Sequence, residues 1–262
     1  MKKWILKFAI RYFIISCSSV RFNKMKPVRI HSWNVSPGEA SAIQMNLRDK
    51  ITIQPLPDEI HLVAGTNVSH DPNTNMIHAA LVVLRFPDME LVERHGLSEE
   101  ITFPYVRGIL AFREAPPIMK LMKRVQHSPD VVLFHSHGLA HPRRFGLASH
   151  LGVLFDVPSI GISDRILVGL HDNIDSEKGH HAPLIHNDKE VGLALRTKDG
   201  VNPVFVSVGH KADLLTTMEF TLECVTHYRR PEPIRQAHLA VVAQRDGENI
   251  DIDVGGNQAT LF

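Results

Sequence analysis

The sequence predicts a single-domain α/β fold, a mixed sheet flanked by helices, with elements opening in the order βββ-α-β. Three observations lead there. Residues 61–68, 79–86 and 91–95 are consecutive apolar or β-branched runs, with Pro87-Asp88 as a turn between the last two, so they predict a meander. Residues 108–125 then carry Ile109, Phe112, Ile118, Leu121, Met122 and Val125 at helical spacing. After that helix the pattern alternates, with an apolar strand at 129–134, a helix at 143–155 and a strand at 158–162. Three strands in a row followed by alternating helix and strand imply a mixed sheet covered by helices.

The remaining elements follow from local signals. Ser36-Pro37-Gly38-Glu39 places a capping serine, a first-turn proline and a glutamate three residues on, which predicts a helix through about Leu47. Residues 108–125 contain Pro116-Pro117, so a kink or restart is expected within that helix. A loop rich in His, Asp and Gly is expected from about 169 to 190, and its His171, His180, His181 and His186 read as a solvated insertion. Residues 191–196 and 203–208 predict a hairpin around Lys198-Asp199-Gly200, and 212–226 a helix.

Composition limits the function classes. With 262 residues, 44% hydrophobic and 22% charged, the chain can bury one good core. A net charge of +1 leaves no global basic bias, so any nucleic-acid surface must be local. Two cysteines, Cys17 and Cys224, are too few for a disulfide framework or a thiolate metal cluster, and a cytoplasmic location is expected. Seventeen histidines make imidazole placement the feature to follow.

Residues 1–30 read as a basic N-terminal extension with Met25 as a plausible true start, because Lys7 and Arg11 interrupt the apolar stretch that a secretory signal needs. The run is also too short and too charged to span a bilayer, and no membrane partner is expected. The domain itself is expected over 31–245, followed by a flexible tail at 246–262.

The most informative stretch is His135-Ser-His137-Gly138-Leu-Ala-His141-Pro142-Arg143-Arg144. A strand ends, glycine turns the chain, and His and Arg side chains arrive at the mouth of a sheet, where open α/β folds build their sites. Two arginines at a helix start suit a phosphate.

Several segments in order are similar to the endonuclease V family. They are Ala64-Gly65-Thr66-Asn67-Val68, Pro104-Tyr105-Val106-Arg107-Gly108, Phe112-Arg113-Glu114-Ala115-Pro116, the 135–144 stretch, Asp156-Val-Pro-Ser-Ile-Gly161, Asn202 to Lys211, and Pro231 to His238. The resemblance runs from about Ser32 to Arg245 and implies a ribonuclease-H-like fold, in agreement with the strand order. It implies a monomeric DNA-repair nuclease that acts on DNA or RNA containing inosine and cleaves the second phosphodiester 3′ of a deaminated purine. The implied cofactor is a divalent metal, Mg or Mn, held by acidic side chains, because a hard ion prefers oxygen ligands.

Carried over by position, the resemblance assigns Asn67, Glu114 and His135 to the metal. It assigns Glu114, His141, Arg143, Asp164 and His210 to catalysis, with His238 as a further candidate. Pro104, Tyr105 and Gly108 become a wedge beside the lesion, Gly138 part of the base pocket, and Lys211 a phosphate contact. The chemistry departs from the pattern at three places. Asn67 and His135 stand where the family keeps aspartates, and Asp164 stands where it keeps a lysine. Both sets carry a formal charge of −2, so Asp164 can be read as a relocated carboxylate in an Asn/Glu/His/Asp site for another transition metal. The alternative is a catalytically inactive protein that still binds the lesion, since a flipped base is held by hydrogen bonds and stacking alone.

Overall fold

The computed structural model describes residues 24–71 and 73–253. Three strands, β1 (Leu62–Asp71), β2 (Met76–Arg85) and β3 (Leu91–Glu100), form the expected antiparallel meander. Helix α2 (Ala111–Arg124) crosses to β4 (Val131–Phe134), which pairs parallel with β1. Helix α3 (Leu147–Phe155) crosses to β5 (Ser159–Ser163), parallel with β4. Three antiparallel strands follow, β6 (His181–His186), β7 (Lys189–Leu195) and β8 (Val204–His210). With β9 (Ile252–Asp253), the described residues form a nine-stranded sheet in the order β6-β7-β8-β5-β4-β1-β2-β3-β9.

The side-chain alternation of a strand explains why helices cover both faces. Along β2, Ala79, Leu81 and Val83 join one core, and Ala80, Val82 and Leu84 join the other. The first core receives Ala115, Ile118, Leu121 and Met122 of α2 and Leu151 and Leu154 of α3. The second receives Phe220 of α4 (Leu214–Glu223) and Ile234, Ala237, Ala240 and Val241 of α5 (Glu232–Arg245).

At the N-terminal end, α1 (Pro37–Arg48) starts as its sequence dictates: Ser36 Oγ accepts from Glu39 N at 3.3 Å, and Ser36 N donates to Glu39 Oε2 at 2.8 Å. Helix α2 continues through Pro116 and Pro117 as one element, without the expected restart.

Three segments differ from the sequence expectation. The 169–190 loop contains β6, an edge strand with Ala182 and Leu184 inward and their neighbours outward. Its histidines and Pro183 hid that alternation. Residues 232–245, read from the sequence only as a motif, form α5, which keeps its prolines in the first turn where they cost no hydrogen bond. The helix expected from 143 begins at Leu147, and Arg144 adopts a left-handed φ of 57° in the turn before it. Beyond Arg245, Ile250 is buried and β9 (Ile252–Asp253) pairs with Glu93 and Arg94 of β3; the rest of the tail, like residues 1–23, lies outside the described residues. Among the described residues, no helix is long and apolar enough to cross a membrane.

Gly65 lets α5 reach β1. A Cβ there would meet Pro233 O at 2.0 Å, and both atoms belong to regular elements that cannot yield cheaply. Gly65→Ala is therefore expected to lower stability by about 1–3 kcal/mol, the usual range for an overpacked core. The loss should appear as a lower urea midpoint with unchanged slope. An unchanged midpoint would mean that the start of α5 is free to shift.

Candidate functional site at the parallel strand ends

Because β1, β4 and β5 run parallel, the residues at their C-terminal ends share one edge of the sheet. Asn67 follows Thr66, which pairs with Phe134; His135 follows Phe134, and Asp164 follows Ser163. Helix α2 adds Glu114 from one face, and α5 adds His238 from the other. The sequence-predicted Asn67, Glu114, His135 and Asp164 are thus brought together.

A chain of hydrogen bonds links Asn67, His135 and Asp164. His135 Nδ1 lies 3.2 Å from Asn67 Oδ1, and His135 Nε2 lies 3.2 Å from Asp164 Oδ2, so each ring nitrogen faces an acceptor. Asn67 Oδ1 also accepts from Val68 N at 2.7 Å, while its Nδ2 lies 3.3 Å from His238 Nδ1. Asp164 is further engaged by two guanidinium groups. Arg230 Nε and Nη2 lie 3.1 and 2.5 Å from Oδ2, and Arg229 Nη1 lies 3.2 Å from Oδ1. The hydrogen bond from His135, followed by those from Arg230, holds the Asp164 carboxyl far below the usual carboxylate range despite its burial.

Glu114 is in the opposite condition. Its side chain is 13% exposed, and its nearest ion-pairing partner is His70 Nε2 at 3.7 Å. Burial pushes its pKa up to about 7, with Arg113 opposing only in part. Glu114, Asn67 and His135 line a small pocket of about 20 Å³ together with Thr66, Val68, Ile118 and Leu147. That is room for a water or a single ion.

The donors present do not fit a magnesium ion. Mg²⁺ wants charged oxygen ligands, yet this pocket offers one carboxyl, a neutral amide and an imidazole. The relocated carboxylate expected at Asp164 is already neutralised by Arg229 and Arg230. Among the described residues, no group of three or more His, Cys, Asp or Glu side chains is arranged to hold a metal ion.

Other sequence-predicted residues lie elsewhere. His210 pairs with Ser159, at the start of β5, because β8 runs antiparallel to it. Five residues of strand, roughly 16 Å, separate that end from Asp164, so His210 and Lys211 stand at the opposite edge of the sheet. There His210 Nδ1 accepts from Thr52 N at 3.1 Å, its Nε2 lies 3.2 Å from Asp156 Oδ1, and Lys211 Nζ donates to Asp156 Oδ2 at 2.7 Å. His238 is the C-terminal histidine that reaches the site.

Arg143 and His141 are placed as architecture. Arg143 Nε donates to Gln44 Oε1 of α1 at 2.7 Å, and its Nη2 donates to Gly108 O, tying the 104–108 loop to α1. His141 is buried, and desolvation with the neighbouring Arg143 lowers its pKa to about 3, so it stays neutral while its Nδ1 accepts from Arg143 N. Gly138 packs on β8, where a Cβ would meet Val208 O at 2.0 Å. Pro104 and Tyr105 project outward, Tyr105 with 72% exposure, between the buried anchors Phe103 and Ile109.

Arg229 and Arg230 were not singled out from the sequence, although the pair stands directly before the Pro231–His238 motif.

The Glu114 carboxyl generates a pH dependence with a defined sign. Its folded pKa of about 7 lies above the ordinary 4.5, so the folded state binds the extra proton and stability falls as pH rises from about 4.5 to about 7. Glu114→Gln removes that penalty. In chelator, the variant is expected to match the wild type near pH 4.5 and to exceed it by about 3 kcal/mol at pH 8, as read from urea midpoints. Parallel curves across this range would show that Glu114 titrates normally.

Comparison with known proteins bears on the same residues. The endonuclease V family model matches residues 45–239. An endonuclease V from Roseiflexus castenholzii is 44% identical over 213 residues, covering 81% of this chain and 95% of the relative. The crystal structure of endonuclease V from Streptomyces avermitilis aligns with a TM-score of 0.79 at 38% identity, covering 85% of this chain and 99% of that one. The Ciona intestinalis enzyme, in complex with a 24mer DNA containing an inosine followed by a ribo-adenosine, aligns with a TM-score of 0.70 at 28% identity, covering 80% and 98%. With a ribonuclease-H-like fold and matches spanning nearly the full length of these relatives, this chain belongs to the endonuclease V family.

Proposed function

We propose that the protein recognises inosine, a deaminated purine, in DNA, and that magnesium-dependent cleavage on the 3′ side of the lesion is impaired in it. One observation carries this reading: the 104–108 loop, which resembles the family's wedge and exposes Tyr105, contacts the segment after Asp164, whose carboxylate is taken by two arginines. The two halves of the activity have different requirements. A nucleotide leaves the stack when something fills its place and a pocket receives it, and neither step calls for a metal.

The 104–108 loop supplies the first requirement. Tyr105 is a large, exposed aromatic held by buried residues on either side, and Arg143 pins the end of the loop through Gly108. The similarity to a Ciona intestinalis protein whose structure contains inosine-bearing DNA supports the same lesion class here. Phosphodiester hydrolysis, by contrast, needs stabilisation of developing charge at the reacting phosphate, which in a magnesium enzyme rests on the carboxylates that hold the ion. Asn67 and His135 bring no such charge.

The test scores retention and nicking separately. The protein is incubated with inosine-containing and control duplexes in chelator, Mg²⁺, Mn²⁺, Co²⁺ and Zn²⁺. Inosine-selective retention in every condition, with no nick in Mg²⁺, is expected; efficient nicking in Mg²⁺ would overturn the impairment, and equal retention of both duplexes would overturn the recognition. Restoration is a second measurement. Asn67→Asp with His135→Asp and Asp164→Lys is expected to gain magnesium cleavage only when Arg230→Ala is added, because a lysine at 164 would otherwise face two guanidiniums.

A further inference from the structure

We infer that Arg230, steadied by Asp164, is a phosphate-binding residue, and that the strand-end site takes a backbone phosphate of DNA directly as an anion. This deepens the reading above and rests on it for the class of ligand. The geometry around Asp164 is the starting point. One carboxylate is shared by two guanidiniums, so the cluster holds a surplus of one positive charge at the edge of the sheet.

The two arginines are held differently. Arg229 is built into the fold: Nε donates to Asn202 O at 2.7 Å, Nη2 to Pro203 O at 2.7 Å, and Nη1 faces Asp164. Arg230 makes its hydrogen bonds to Asp164 through Nε and Nη2, and its side chain is 28% exposed. A guanidinium has five N–H donors in a planar fork, and Asp164 takes Nε–H and one N–H of Nη2, so three donors of Arg230 remain for a ligand. Asp164 acts as a positioning residue that holds one edge of the fork.

The surroundings favour a phosphate. The loop that follows Asp164 touches the wedge loop, since Arg107 Nη2 lies 3.5 Å from Leu167 O. Arg107 and Arg165 are exposed on these two segments. Arg107, Arg165 and Arg230 therefore form the local basic surface that the near-neutral chain needs for nucleic acid, and they form it beside Tyr105. A divalent cation at Asp164 would have to displace two guanidiniums. An anion displaces nothing, and Arg–phosphate pairing is bidentate and charge-assisted.

Salt dependence reads this directly, because each neutralised phosphate contributes about 0.9 to the slope of log K against log salt on duplex DNA. Binding of a fluorescent inosine-containing duplex is measured by anisotropy in chelator across a range of KCl. The proteins compared are the full chain, Arg230→Ala, Arg230→Lys and, as a control at a distant surface pair, Arg85→Ala. Arg230→Ala is expected to weaken binding several-fold and to flatten the slope by about 0.9, while Arg230→Lys keeps the slope and Arg85→Ala changes neither. In Arg230→Ala, Asp164 retains Arg229 and His135, so an unchanged melting curve is expected alongside.

An unaltered slope in Arg230→Ala, a wild type that binds no DNA, or binding that appears only with a divalent cation overturns the inference. Failure of inosine selectivity has a different signature. The wild type would then bind inosine and control duplexes alike, while the Arg230 slope difference persisted on both.

Discussion

The carboxylate of Asp164 is where the ends of three separate segments are fastened together. It sits just past β5, receives His135 from the end of β4, and receives Arg229 and Arg230 from the approach to α5. A carboxylate 20% exposed is costly to desolvate unless its lone pairs are filled, and here three cationic or hydrogen-bonding groups fill them. The constraint then propagates. Holding His135 by Nε2 turns its Nδ1 to Asn67, Asn67 turns its amide nitrogen to His238, and so a hydrogen-bonded line runs across the strand ends to α5. Removing Asp164 would leave two guanidiniums facing each other with nothing between them.

This line depends on how closely the backbone layers approach. Gly65 admits the start of α5 onto β1, and Gly138 admits the 135–146 loop onto β8. Without those contacts, His238 and His135 would stand too far from Asn67 to share it. On the other side of the sheet, Arg143 spans from Gln44 of α1 to the carbonyl of Gly108, so the 104–108 loop is tied to the same loop that carries His135. Residues 135–146 thus hold both the 104–108 loop and one end of the strand-end site.

Much of this was legible in the sequence. The first five strands announce themselves as apolar runs, α1 by its capping box and α2 by its helical spacing, and once strands 1, 4 and 5 are parallel, Asn67, His135 and Asp164 must converge. Glu114 enters only through the resemblance of its segment to the family. The misplaced His210 shows where sequence reasoning stops: its segment matches well, but whether β8 runs with or against β5 is decided by sheet pairing, and the antiparallel choice carries it to the far edge. Strand β6 was masked because histidines and a proline dilute an alternation that only Ala182 and Leu184 support. The arginine pair was invisible for another reason. An ion pair between residues 66 positions apart leaves no local pattern, and two adjacent arginines read as an ordinary solvated turn.

The departures at the site make sense together and not singly. Aspartates crowded at strand ends repel one another unless a cation lies among them. Replacing two of them by Asn67 and His135 removes that repulsion, and it also removes the attraction that would hold a divalent ion. Counting Arg229 and Arg230 with Asn67, Glu114 and Asp164 brings the formal charge from −2 to zero. Glu114 stands apart from that balance: burial pushes its carboxyl up to about 7, and Arg113 opposes only in part. The N–H donors of Arg230 that Asp164 leaves over suit the charge that DNA carries along its backbone.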